Sequence, residues 1–414
     1  MKKIISLHFL LCVLIVANNT NAQNITCGIE RTNVYLPLLI GKKVAIVGNQ
    51  TSIFDNKTHL VDSLMNLKIN IVKIFTPEHG FRGNIEAGGK VNSGKDNKTG
   101  LPIISLYGKK FKPSKEDLKD IDILIFDIQD VGCRFYTYIS TLHYVMEAAA
   151  ENDKMLIVFD RPNPNGFYIT GTVLKDTSLV SFVGIHPVPI VYGMTIGEYA
   201  KMINGERWLG TSAKRVIGEK SNLKCNLTII PLLNYNHNCL YRLPIPPSPN
   251  LTTMNAIYLY PFLCFFEGTP VSVGRGTDLP FEIVGYPQYH SADTSAIIEF
   301  IPCSINGIAD NPPYKDKLCK GKRIVEGTSF TILQNNSPLN IFSLVIEIYK
   351  NYPAKNTFFK PFFDKLAGST EVKEVIMGNV NYKTYEQKLT KDLKEFNVVR
   401  KKYLIYEDVN TYTN

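Results

Sequence analysis

The first half of the chain alternates short apolar runs with amphipathic stretches. Residues 43–48 (KVAIVG), 69–75 (INIVKIF), 102–107 (PIISLY), 122–128 (DILIFDI) and 155–159 (MLIVF) are the apolar runs. Apolar runs of this length predict strands covered on both faces. Amphipathic stretches at 59–65 and 138–152 predict intervening helices, so this half reads as α/β with a Rossmann-like parallel sheet. The second half is less regular. Residues 241–250 (YRLPIPPSPN) are proline-rich and predict an extended loop, and residues 265–282 (FFEGTPVSVGRGTDLPFE) are dense in glycine and charge. Helices are expected near 341–349, 361–366 and 385–396, giving a smaller α+β domain.

The extreme N-terminus is of another kind. Lys2 and Lys3 precede an apolar run over residues 4–17, and small residues follow at Thr20 and Ala22. This is the pattern of a cleavable export signal over residues 1–22, too short and wrongly flanked to span a membrane. No later run reaches the length of a membrane helix. Export predicts a periplasmic or secreted protein. Its removal takes away Cys12 and the two lysines, leaving about 390 residues, seven cysteines and a formal charge of +7 from the +9 of the full chain. That length exceeds one core, so two domains are expected, 23–215 and 216–414. Seven dispersed cysteines do not form a disulfide framework; they are expected as buried fillers, with room for one or two disulfides. No Cys/His cluster points to zinc. The positive charge is spread out, without the basic stripes of a nucleic-acid binder.

Polar residues concentrate just after the predicted strands: 49–51, 76–83 (TPEHGFRG), 129–134 and 160–166 (DRPNPNG). Ligands of open α/β sheets bind outside the carboxyl ends of the strands, so these loops are expected to converge on a site. Glu78 and His79 stand between a buried strand and two glycines, where a partly desolvated carboxyl group can serve as a general acid. Asp127, Asp130 and Asp160 end other strands, with Arg134 and Arg161 beside them, and arginine suits a substrate carboxylate. Tyr136, Tyr138, Phe265 and Phe266 are candidate sugar-stacking faces. Glu267, Arg275, Asp278 and Glu282 add charge to the glycine-rich segment. His186 is read equally as structural or participating. Residues 89–96 (GKVNSGKD) have P-loop spacing, but Asp96 stands where Ser or Thr should hold magnesium. No GxSxG, HExxH or GxGxxG is present.

Longer motifs add a family resemblance. TPEHGFRG, SLYG (105–108), FDIQDVGCRFYTYISTL (126–142), DRPNPNG, PVPIVYGMTIGEYAKMING (187–205), PSPN (247–250), FFEGTPVSVGRGTDLPFEIVGYP (265–287), FFDKLAGS (362–369) and RKKYLIYE (400–407) resemble the NamZ-type exo-β-N-acetylmuramidases. The likeness runs from about residue 28 to residue 407. It implies a glycoside hydrolase that releases N-acetylmuramic acid from the non-reducing end of peptidoglycan fragments in cell-wall turnover. It also implies an active site in the cleft between the two domains and no cofactor, metal or nucleotide. Glu78 falls on the family's candidate catalytic glutamate, and Asn49 and Thr51 carry over as neighbours. Muropeptides or their disaccharides are the implied partners. Arg134, Arg161 and Arg275 are available for the lactyl carboxylate and Asn163 and Asn250 for the acetamido group; His79, Arg82, Tyr136, Glu267 and Glu282 complete the expected binding set. The second catalytic group stays open among Asp127, Asp130, Asp160 and the substrate's acetamido oxygen. A muropeptide-binding protein and an esterase or amidase of the lactyl-peptide branch are the alternatives.

Overall fold

The computed structural model describes residues 24–54, 57–83, 85, 88–210, 221–291, 297–333 and 337–408. The export signal expected at 1–22 and the boundary expected near residue 215 lie outside them.

Seven strands form the main sheet: β1 (Lys43–Gly48), β2 (Asn70–Thr76), β3 (Gly94–Lys95), β4 (Pro102–Ser105), β5 (Ile123–Asp127), β6 (Met155–Phe159) and β7 (Asn226–Ile230). Their order is β3-β4-β2-β1-β5-β6-β7. Every pairing is parallel except β3 with β4. Period-two geometry sorts the apolar runs onto two faces. Ala45, Val47, Leu124, Phe126, Leu156 and Val158 enter one core, while Val44, Ile46, Ile123, Ile125, Ile157 and Phe159 enter the other. This double burial is why the strands are apolar without alternation. The chain order reverses at β1, whose neighbours are β2 and β5, so a crevice opens above their carboxyl ends.

The expected helices form as Leu60–Asn66, Tyr138–Glu151, Ser343–Asn351, Pro361–Ala367 and Tyr382–Arg400. Helices Ile196–Gly205 and Met254–Leu263 were not anticipated. The first is opened by a capping box in which Thr195 accepts from the Glu198 N–H. The second is apolar all round, with Pro261 inside it, so no amphipathic stripe marks it.

β7 follows the expected boundary and still pairs with β6. The sheet layer therefore includes residues 226–230. Beyond it, β8 (Ile283–Tyr286), β9 (Ile297–Phe300) and β10 (Cys319–Arg323) make a small antiparallel sheet in the order β8-β10-β9. Phe262, Phe265, Phe342 and Phe363 join the same core as Val47 and Phe126, so the second half packs directly on one face of the sheet layer. The C-terminal segment then returns to the sheet, where Tyr406 Oη donates to Asp160 Oδ2 at 2.5 Å. The seven cysteines from Cys27 to Cys319 are all free thiols, five of them buried, as expected of fillers.

Candidate active site

The turn after β2 aims its carboxylate inward. His79 sits at φ +71°, with Gly80 at +77° and Gly83 at +70°. A left-handed non-glycine residue is costly and concentrates at functional sites. The positive φ at Gly83 favours glycine there, and a Cβ would also have to displace the end of the Gln50 side chain. Glu78 is buried at 6% exposure. Its Oε1 accepts from the Gly88 N–H at 2.8 Å and its Oε2 from Thr137 Oγ1 at 2.6 Å. Thr137 is the N-cap of helix Tyr138–Glu151. The Tyr107 hydroxyl lies against the same carboxylate. His79 Nδ1 donates to the Ile85 carbonyl at 2.6 Å, leaving Nε2 as the acceptor of the neutral ring. Burial holds the His79 imidazole below its ordinary pKa, opposed by Glu78.

Glu78 and His79 open onto a cavity of about 340 Å³. Phe135, Tyr136 and Thr137 line it from the start of the helix, Ser248 and Asn250 from the proline-rich loop, and Glu267, Arg275 and Phe281 from the glycine-rich segment. Tyr107, Phe111 and Phe182 line it as well, with Phe362 and Leu366 from the second half. Glu267 Oε1 accepts from Arg275 Nε at 2.8 Å and Nη2 at 2.5 Å, and the guanidinium lies 5.1 Å over the Phe281 ring. The Asn250 side chain donates to the Ile308 carbonyl at 2.8 Å, while its Oδ1 has no partner among the described residues.

The expected site is therefore divided. Glu78, His79, Tyr136, Asn250, Glu267 and Arg275 meet at the cavity. Asp127, Asp130, Asp160, Asn49, Arg82, Arg134, Arg161, Asn163 and Glu282 do not line it. The strand-end loops do converge, but they satisfy one another, because a buried charge or amide without partners is expensive. Asp127 is fully buried and gripped by Arg161. Asp160 accepts from Arg161 N, Gly197 N, Thr195 Oγ1 and Tyr406 Oη, and burial pushes its carboxyl up to about 7. Asp130 accepts from the Gly132 N–H at 2.7 Å and from Tyr192 Oη; burial raises it to about 6. Asn49 bonds Tyr138 and Thr51, and Asn163 bonds the Met194 carbonyl and the Asn165 N–H.

The remaining arginines and glutamate are likewise committed elsewhere. Arg134 is buried and donates to the Thr172, Val188 and Leu366 carbonyls, so it ties the sheet layer to the second half. Arg82 pairs with Asp96 at 2.5 Å and lies over Phe81. Glu282 takes bonds from Thr253 and Asn255 beside a separate cavity of about 580 Å³. Phe265, Phe266 and Tyr138 are core residues. His186 is buried between His143 and Tyr199 and stacks on Trp208, a structural position.

Thr137, Tyr107, Phe111 and Phe182 were not anticipated at the site. Tyr107 and Thr137 fall within SLYG and FDIQDVGCRFYTYISTL, and their places in those motifs were the available signal. Phe111 and Phe182 carry none in the local sequence.

A buried carboxyl group at a strand end, facing a small cavity with a second, arginine-held carboxylate, supplies the two acidic groups that a glycoside hydrolase uses. Comparisons with known proteins specify the family. Exo-beta-N-acetylmuramidase NamZ, N-terminal, matches residues 44–255, and Exo-beta-N-acetylmuramidase NamZ, C-terminal, matches residues 258–406. The peptidoglycan beta-N-acetylmuramidase NamZ of Bacillus subtilis (strain 168) is 36% identical over 387 residues, 90% of this chain and 89% of that protein. Two crystal structures of DUF1343 family proteins from Bacteroides fragilis NCTC 9343 share the fold. One has a TM-score of 0.80 at 43% identity, covering 93% of this chain and 100% of the other; the second has 0.76 at 30% identity, covering 92% and 99%. The chain belongs to the NamZ exo-β-N-acetylmuramidase family.

Proposed function

We propose that this protein is an exported exo-β-N-acetylmuramidase, releasing N-acetylmuramic acid from the non-reducing end of muropeptides or their disaccharides in the periplasm or outside the cell. The observation that carries this reading is the pair Glu78 and Glu267, the carboxylates lining the cavity among the described residues. Glu78 is the general acid that protonates the leaving glycosidic oxygen. Glu267 replaces the three strand-end aspartates as the second group. Held by Arg275 through Oε1, its carboxylate stabilises the positive charge that develops on the sugar ring. Arg275 Nη1 remains to meet the lactyl carboxylate, and Asn250 Oδ1 suits the acetamido N–H. Neutral His79 presents an acceptor for a sugar hydroxyl or a water.

Incubation with a muramoyl-glucosamine disaccharide and a glucosaminyl control tests the substrate, with mass spectrometry showing which bond breaks. Release of muramic acid from the first alone is expected. Binding without turnover would favour a capture protein, and loss of the lactyl branch an esterase or amidase. Glu78→Gln is expected to lower kcat by about 100-fold or more, with the melting temperature little changed. Near-normal turnover would remove Glu78 from the acid role. Detection of the mature chain beginning near residue 23 in the culture fluid or periplasm tests export.

A further inference from the structure

We propose that Phe182 and Phe111, backed by Tyr107, form the platform on which the leaving-group sugar stacks, a subsite for the residue that stays on the fragment. This rests on the muramidase reading above and extends it to the other side of the scissile bond.

The argument begins with how the cavity is divided. One set of groups near Glu78 is polar: His79 interacts electrostatically with Glu78, Arg275 and Glu267, and Arg275 holds Glu267. A second set is aromatic: the Tyr107 hydroxyl lies against the Glu78 carboxylate, and its ring meets Phe182 at 5.6 Å and Phe111 at 6.0 Å. Phe111 and Phe182 lie 4.4 Å apart, tilted by 33°. Tyr144, its ring nearly parallel to that of Phe182 at 6.3 Å and 13°, packs against the pair. The acid therefore meets a charged set, with Arg275 over Phe281, and an aromatic set whose rings pair with one another.

Chemistry then orients the substrate. The terminal sugar carries the carboxylate, so it belongs with the charged set. The acid protonates the bridging oxygen, so the leaving sugar lies beyond Glu78, with the aromatic set. A pyranose presents a face of C–H groups that buries well on an aromatic ring. Exposure fits this use. Phe111 and Phe182 line the cavity yet are only half-buried, whereas Phe135 and Phe281, which also line it, are buried. A cluster of aromatic rings left partly open to a site retains apolar surface for a ligand.

The test compares two substrates that share the terminal sugar. One is the muramoyl-glucosamine disaccharide; the other is N-acetylmuramoyl fluoride, whose leaving group is too small to reach the platform. For Phe182→Ala and Phe111→Ala, the ratio of kcat/KM for disaccharide over fluoride is expected to fall on the order of tenfold, chiefly through KM for the disaccharide. Phe182→Tyr keeps a ring and should keep the ratio. An unchanged ratio in folded alanine variants, or equal losses on both substrates, would overturn the platform. Circular dichroism melts of each variant establish that the folded protein is being measured. Failure of the wild type on both substrates would instead overturn the muramidase reading, and the platform with it.

Discussion

Arg161 grips both oxygens of Asp127, Nε on Oδ1 at 2.6 Å and Nη2 on Oδ2 at 2.9 Å, with both side chains sealed from solvent. The pair joins the ends of β5 and β6. Removing one partner leaves an uncompensated buried charge, so Asp127→Ala and Arg161→Ala are each expected to cost roughly 3–5 kcal/mol. Denaturant unfolding measures the loss. A folded, normally stable Asp127→Asn enzyme without turnover would return Asp127 to the chemistry.

Arg134 is expected to behave as a structural cross-link. Its guanidinium serves three carbonyls, and burial lowers its pKa to about 10. Arg134→Ala orphans those carbonyls, at about 1–3 kcal/mol for each one left dry. The melting temperature should fall by several degrees, while KM of the folded fraction stays near wild type. A large rise in KM without destabilisation would instead make Arg134 a substrate ligand.

Thr137 is a positioning residue for Glu78 through its 2.6 Å hydrogen bond. Thr137→Val is expected to lower kcat about tenfold with KM little affected, because the acid loses its fixed orientation. Thr137→Ser restores the hydroxyl and should recover most of the rate. Equal impairment in both variants would point to packing rather than orientation.

Asp130 carries a pH prediction. Burial raises its carboxyl from 3.8 to about 6 in the folded protein. The folded state therefore binds this proton more tightly than the unfolded chain. Its contribution to stability is fully present below the unfolded value and is lost as pH rises through about 6. Asp130→Asn keeps the acceptor for Gly132 N and Tyr192 Oη and has no charge to bury. Relative to wild type it should gain on the order of 2–3 kcal/mol between pH 4 and pH 8. Urea midpoints at the two pH values decide it; a constant difference would sink the assignment.

Much of the fold was legible because burial leaves a local record. KVAIVG, DILIFDI and MLIVF are strands of a covered parallel sheet, and each is apolar at both alternating positions because the faces belong to two different cores. Glu78 was visible as a candidate from its place between a buried strand and two glycines, and the family motif around it made it the preferred acid. Helix Met254–Leu263 escaped because an element buried on all sides shows no periodicity.

Composition and local pattern determined the layer and the loops that cap it, and placed Glu78 among the candidates for its chemistry. Tertiary structure alone decided which charged strand ends are spent on one another. Asp127, Asp160, Arg134 and Arg161 look as chemical in the sequence as Glu78 does. Apart from the Arg161 N–H on Asp160, their partners lie 34 to 246 residues away, and only the folded chain shows those partners taken. It also brought Glu267 and Arg275 across from the second half, and opened the aromatic wall of Phe111 and Phe182 beside the acid. A side chain's chemistry is local, but whether that chemistry is satisfied or available depends on neighbours that sequence proximity does not supply.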